Sequence, residues 1–250
     1  MSTAPLLVFD FDGVLIDGMP EYWWSARRAA QRLDPSLVLP EQAPAAFVTL
    51  RPQIHKGWEM VLVAIAMTRP DFSLEAWLRN YHQALALELA LVTASEEALQ
   101  AALESVRDTA LREDPAAWLA LHRFFPGVER RLRQLSEEGV PWLVLTTKGG
   151  AYATRLLEAA GLEPQAVYGH ERGSKPDVLL SLRNAERPLW FVEDRRPTLE
   201  RVRSTPGLEP VRCFLALWGY LAPSDSDGLQ SWAILPLDAT RFAGPLADWA

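Results

Sequence analysis

The chain has 250 residues, 49% hydrophobic and 23% charged, with a formal net charge of −7. That length and apolar content suit one sizeable core, or a core plus a smaller domain, and exclude a disordered chain. The acidic balance argues against nonspecific binding to nucleic acid or an anionic membrane, and the single cysteine, Cys213, excludes an intrachain disulfide and points to a reducing, cytoplasmic setting.

The chain opens on "PLLVFDF" (5–11), short and apolar and followed by Gly13, which reads as a buried strand rather than as a signal peptide. "PEYWWSARRAAQRL" (20–33) begins with proline and continues at helical spacing. Asp17, just before it, reads as a helix cap. A proline-rich stretch (34–47) reads as a loop. From 54 to 124 the pattern is almost wholly helical: one helix over 54–67, a second over 73–91 capped by Ser73, a third over 95–114 capped by Ser95, and a fourth from Asp114, with Pro115 at its first position. The longest apolar run, Met60 to Met67, is far too short to cross a bilayer.

After Phe125 the pattern alternates. A helix ending at Gly139 precedes the strand "PWLVLTT" (141–147), a helix (149–161), a short strand "AVYG" (166–169), a helix (175–185), the strand "PLWFVED" (188–194), a helix (198–205) and the strand "VRCFLALW" (211–218). Alternating strands and helices imply right-handed crossovers and a parallel sheet. The expected fold is therefore α/β, a doubly wound, Rossmann-like core from residues 1–17 and 125–250, interrupted by an all-helical insert over 18–124. Ten tryptophans read as core or subunit-contact residues rather than as a cofactor platform.

In an open parallel sheet, ligands sit at the carboxyl ends of the strands. There the sequence places Asp10 and Asp12, then Thr146, Thr147 and Lys148, then Lys175 in a turn, then Glu193 and Asp194. Carboxylates, hydroxyls and lysines in one crevice suit phosphoryl transfer. Mg²⁺ takes oxygen ligands and keeps several waters, so a few carboxylates suffice. Asp10 and Asp194 can supply two ligands and the Asp12 carbonyl a third. One carboxylate can serve as nucleophile, with the metal and Lys175 offsetting the repulsion between it and phosphate. Thr146 and the N–H groups of the first loop, at Gly13, can bind phosphate oxygens, and Asp12 can act as acid and then base.

These motifs resemble, in order, the four of the haloacid dehalogenase superfamily of aspartate-nucleophile phosphotransferases: "DFDGV", Thr146, Lys175 in "SKPDVLL", and "FVEDR". "FFPGVERRLRQLSEEGV" and "LALWGY" are similar to the helical-cap subfamily that contains phosphoglycolate phosphatases and β-phosphoglucomutases. The resemblance implies Asp10 as nucleophile, Asp12 as acid/base, and Asp10, Asp12 and Asp194 as Mg²⁺ ligands. Glu193 replaces a glycine common at that position, as in mutase-like members, and is a further candidate for the metal or its waters. Thr198 stands where a second acidic residue is common. The implied partner is a small phosphorylated metabolite, with no nucleic acid and no membrane. Phosphomutase and non-catalytic binding module are the alternatives; oligomeric state is not legible.

Of 22 arginines and three lysines (Lys56, Lys148, Lys175), two lysines fall at site positions, where a compact ammonium fits better than a planar guanidinium. Thr147 and Lys148 either cap and solvate the next helix or bind phosphate. In the insert, Arg51, His55 and Lys56 are the candidate substrate contacts. Trp23 and Trp24 offer core packing or a substrate wall, and His82, His122 and His170, which lack metal-ligand spacing, read as structural.

Overall fold

A computed structural model describes residues 4–183 and 187–249. Two compact units emerge, one from the chain up to Asp17 and from Arg123 onward, the other from Gly18–His122.

Strand β1 (Leu6–Phe9) starts the first unit and is apolar throughout, as a parallel strand covered on both faces must be. A tight turn follows. The N–H groups of Leu15 and Ile16 both donate to the Phe11 carbonyl at 2.9 Å, and Gly13 N–H donates to the Ile16 carbonyl at 2.9 Å. Strand β2 (Ile16–Asp17) closes the turn.

The second unit is all helical: α1 (Met19–Leu33), α2 (Ala45–Leu50), α3 (Gly57–Ala66), α4 (Leu74–Arg79), α5 (Tyr81–Leu91), α6 (Glu96–Glu113) and α7 (Pro115–Leu119). Ser95 Oγ and Asp114 Oδ1 cap α6 and α7, accepting from Ala98 and Ala117 N–H at 3.3 and 3.0 Å. Two expectations change. The single helix over 73–91 is two helices, because Asn80 (φ −152°, ψ 80°) leaves the helical region, ends α4 and caps α5, its Oδ1 accepting from Gln83 N–H. The expected loop over 34–47 ends early in α2, which buries Phe47 and Leu50 three residues apart on one face. Phe47 packs edge-on against Trp23 at 5.0 Å, so Trp23 is a core residue. Helix α6 buries Leu99, Leu103, Val106 and Arg107 along one stripe. Arg107 forms a bidentate ion pair with the fully buried Glu21 of α1, at 2.7 and 2.8 Å. Ser25 donates to the same carboxylate, and His122 Nε2 lies 3.8 Å from it.

Chain continuity returns to the first unit at β3 (Arg123–Phe124), which pairs antiparallel with β2. Then come α8 (Val128–Glu137), β4 (Trp142–Leu145), α9 (Gly150–Ala159), β5 (Val167–Tyr168), α10 (Lys175–Leu182), β6 (Leu189–Glu193), α11 (Arg196–Arg203), β7 (Arg212–Ala216), β8 (Ile234–Leu237) and α12 (Ala239–Ala243). Of the helix expected over 175–185, Asn184 and Ala185 lie outside the described residues. Strand β8 and helix α12 carry no expectation from the sequence.

The six main strands form one parallel sheet in the order β5-β4-β1-β6-β7-β8. Strand periodicity sends alternate residues to opposite faces. Val8, Leu143, Leu145, Phe191, Cys213 and Leu215 join Leu179 of α10 and Leu199 and Val202 of α11 in one core layer. Phe9, Trp142, Trp190 and Phe214 meet Phe242 and Trp249 in an aromatic layer, with ring centroids 5.3–6.5 Å apart. Three of the ten tryptophans are spent there, as core. The winding direction reverses at β1: β4 lies on one side and β6 on the other. That is the switch point at which an α/β sheet opens a ligand crevice.

Candidate active site

The carboxyl ends of β4, β1 and β6 are adjacent at this switch point, and each delivers polar residues. Asp10 follows β1, its N–H donating to the Val192 carbonyl at 2.9 Å. Glu193 ends β6 and Asp194 follows it. Thr146 follows β4. Asp10, Thr146, Lys148, Lys175, Glu193 and Asp194 are all buried, which is abnormal for charged groups unless they are paired.

Lys175 supplies the pairing. Its residue opens α10, where Pro176 holds the first turn and Ser174 caps it. Its ammonium donates to Asp10 Oδ1 at 2.5 Å and to Glu193 Oε2 at 2.6 Å. Glu193 Oε1 accepts from Arg195 N–H at 3.0 Å. Burial opposes the charge on Lys175, but the two carboxylates outweigh it and hold the ammonium above the ordinary lysine range. Asp10 goes the other way. Burial first and the Glu193 charge second push its carboxyl from 3.8 up to about 7, against the pull of Lys175.

Asp194 sits in a close-fitting slot. A Cβ placed on Gly13 (φ +96°) would lie 2.0 Å from Asp194 Oδ2, so glycine is required both by the left-handed backbone and by the carboxylate against it. Asp194 Oδ2 accepts from Tyr220 N–H at 2.8 Å. Oxygens of Asp10, Glu193 and Asp194 come within 4.8 Å of one another. Across the crevice Lys148 Nζ lies 3.3 and 3.5 Å from the two Asp12 oxygens, and its N–H donates to Thr146 Oγ1 at 3.0 Å. Lys148 thus faces a carboxylate instead of solvating a helix, whereas Thr147 beside it is exposed.

Charge bookkeeping tests whether a metal fits. Asp10, Asp12, Glu193 and Asp194 bring four formal negative charges, and Lys148 and Lys175 two positive ones, leaving two negative charges. That excess equals the charge of one divalent cation. All donors are oxygens, the chemistry of a hard ion such as Mg²⁺. Asp12 stands outside the three-carboxylate cluster, and its carboxylate is engaged by Lys148.

In the helical unit, Arg51 lies over the Tyr22 ring at 4.8 Å and donates to the Ile54 carbonyl at 3.2 Å. His55 N–H donates to the buried Glu59 at 2.9 Å. Lys56 precedes α3, exposed and 4.0 Å from Glu96. Asp17 is not the cap of α1: that position is Gly18, which makes no side-chain cap bond. Asp17 instead belongs to β2 and accepts from the Tyr220 hydroxyl at 2.6 Å. Sequence reasoning gave Gly219 and Tyr220 no role. Their signals were the "LALWGY" resemblance and their position, just past the carboxyl end of β7, which neighbours β6.

A doubly wound sheet with buried acids and lysines at its switch point defines a class of α/β enzymes. Residues 5–187 match the model of the haloacid dehalogenase-like hydrolase family, and the chain belongs to that family. No curated protein matches it significantly. Among solved structures, it is similar to a predicted phosphoglycolate phosphatase from Haemophilus somnus (18% identity, TM-score 0.60, covering 91% of this chain and 92% of that one). It is also similar to a protein assigned as a β-phosphoglucomutase from Thermotoga maritima (16%, 0.56, 96% of each). A third is the Protein Tyrosine Kinase A of Mycobacterium tuberculosis (22%, 0.58, 98% and 96%). Three such different names on one architecture show the fold and leave the reaction to the site.

Proposed function

We propose that the chain is a Mg²⁺-dependent phosphatase that hydrolyses a small-molecule phosphomonoester through an aspartyl-phosphate on Asp10. The observation that carries this reading is the buried cluster itself: three carboxylates, two of them bridged by Lys175, with two negative charges left over for a divalent ion. Asp10, Asp194 and the Asp12 carbonyl would hold the ion, with Glu193 beside it. When bound, it would supply positive charge against the phosphoryl oxygens and favour the ionised form of Asp10.

An Asp10 oxygen attacks phosphorus and the ester P–O bond breaks. Asp12, which enters the step protonated once the ester is seated, gives that proton to the departing oxygen. Asp12 then takes a proton from water, whose oxygen attacks the same phosphorus, releasing inorganic phosphate and restoring Asp10. Lys148 holds the Asp12 carboxylate in place for both transfers, and Lys175 keeps Asp10 directed into the crevice. Thr146 and the N–H groups around Gly13 are assigned to the phosphate oxygens, with Lys148 and Thr147 at the same edge. Arg51, His55 and Lys56 are assigned to the remainder of the substrate.

Phosphomutase stays the second reading, favoured by Glu193 in place of a glycine; the Glu193 oxygens accept from Lys175 and from Arg195 N–H. The test is phosphate release from a panel of phosphorylated metabolites with Mg²⁺. Turnover that disappears in Asp10→Asn is expected. No release from any ester, or turnover surviving in Asp10→Asn, refutes the reading, and primer-dependent isomer interconversion without phosphate release selects the mutase.

A further inference from the structure

Asp17 and the Trp218-Gly219-Tyr220 segment take no part in the proposed chemistry, yet they are bound tightly around it. Tyr220 makes two hydrogen bonds in different directions. Its hydroxyl donates to Asp17 Oδ1 at 2.6 Å, and its backbone N–H donates to Asp194 Oδ2 at 2.8 Å. Its ring meets that of Phe125 edge-on at 6.0 Å. The residues before it hold the same neighbours. The Trp218 indole N–H donates to the Val14 carbonyl at 2.9 Å. A Cβ on Gly219 would come 2.3 Å from Asp194 Cβ and 2.4 Å from the Gly13 carbonyl oxygen. Three consecutive residues therefore clasp the turn after β1 on one side and Asp194 on the other.

A carboxylate on a short side chain has few constraints of its own, and metal binding requires its oxygens to be fixed in direction. The N–H that fixes Asp194 belongs to a half-buried loop, not to a strand. The Tyr220 hydroxyl on Asp17 anchors that loop at the residue that carries the N–H, beside the Trp218 indole bond to Val14; it is a short bond to a charged acceptor and so among the stronger kinds. We propose that Tyr220 is a positioning residue for Asp194: the Tyr220–Asp17 bond fixes the backbone N–H that aims the Asp194 carboxylate at the metal. Asp17, the third aspartate of the opening motif, thereby acts on the metal site at one remove, through Tyr220. The assignment rests on the reading of Asp194 as a metal ligand.

The test is Mg²⁺ affinity measured by calorimetry on the full chain without substrate, for wild type, Tyr220→Phe, Asp17→Ala and the double variant. Tyr220→Phe keeps the ring and the backbone N–H and loses only the hydroxyl. It is expected to weaken Mg²⁺ binding about tenfold, the usual cost of losing an outer hydrogen-bond partner of a metal ligand, and to lower the metal-free thermal midpoint by no more than the loss of that one bond. Asp17→Ala, which leaves Tyr220 intact, is expected to match it, and the double variant to be no weaker than either. Wild-type affinity in either single variant, additive losses in the double, or a wild-type chain that binds no Mg²⁺ overturns the proposal. If this pattern holds in a chain that releases phosphate from no ester, the positioning role stands and the phosphatase reading falls.

Discussion

Replacing Asp10 by asparagine tests the electrostatics of the site without any substrate. In the metal-free protein, burial and the Glu193 carboxylate raise the Asp10 carboxyl from 3.8 to about 7. Because the folded value lies above the unfolded one, the contribution of Asp10 to stability is fully present below about pH 4 and is lost as pH rises through about 7. The gap of about three pH units is worth about 4 kcal/mol at about 1.4 kcal/mol each. Between about pH 5 and pH 8, where both proteins can be studied, roughly 2–3 kcal/mol of it is lost. Asparagine keeps the shape and cannot ionise. Urea unfolding in chelator should therefore show the stability of Asp10→Asn relative to wild type rising by that amount across the interval. Saturating Mg²⁺ should recover the difference for wild type and much less for the variant, since the ion relieves a repulsion the variant lacks. A stability difference that stays flat with pH would mean that Asp10 does not carry this strain, and the crowding argument for a cation would go with it.

Two further predictions concern groups away from the crevice. Arg107→Met strands Glu21 in the helical unit with its bidentate partner gone, and should cost roughly 3–5 kcal/mol in urea unfolding, with Glu21→Met added in the same chain restoring most of it; a loss under about 1 kcal/mol would show that Ser25 and His122 suffice to hold the carboxylate. Cys213 is wholly buried, and burial pushes its thiol from 9.0 up to about 12. Its stabilising contribution is intact below about pH 9 and fades from there to about pH 12, and iodoacetamide at about pH 8 should label it only after denaturation; rapid labelling of the native chain would contradict its place in the core.

How much of the site could be read in advance varies with the kind of constraint. Asp10, Lys175 and Asp194 were legible because each follows or precedes a strongly patterned element, and parallel strands deliver their ends to one side. The ion pairs were not. Nothing in the spacing of Lys148 from Asp12, 136 residues apart, says that the two meet, nor that Lys175 bridges Asp10 and Glu193. Helix boundaries failed where a single residue decided them: Asn80 reads as an ordinary polar position inside an apolar pattern, yet its backbone conformation and its cap bond split one helix into two. Strand β8 was missed because its four residues, "ILPL", include a proline, which argues against a strand unless it lies at a sheet edge, as this one does.

Local patterning alone determined that this chain makes a parallel α/β core with a helical insertion after its first strand, and that acids and lysines gather at the strand ends. Hydrophobic periodicity and strand direction are local properties, and they suffice for that much. Only the tertiary structure decided which charges share a partner, that the carboxylates outnumber the ammonium groups by two in a buried space, and that Asp17 answers to Tyr220 rather than to the helix after it. Those outcomes depend on distances between residues far apart in sequence, and electrostatic energy follows distance and burial, neither of which a linear pattern contains.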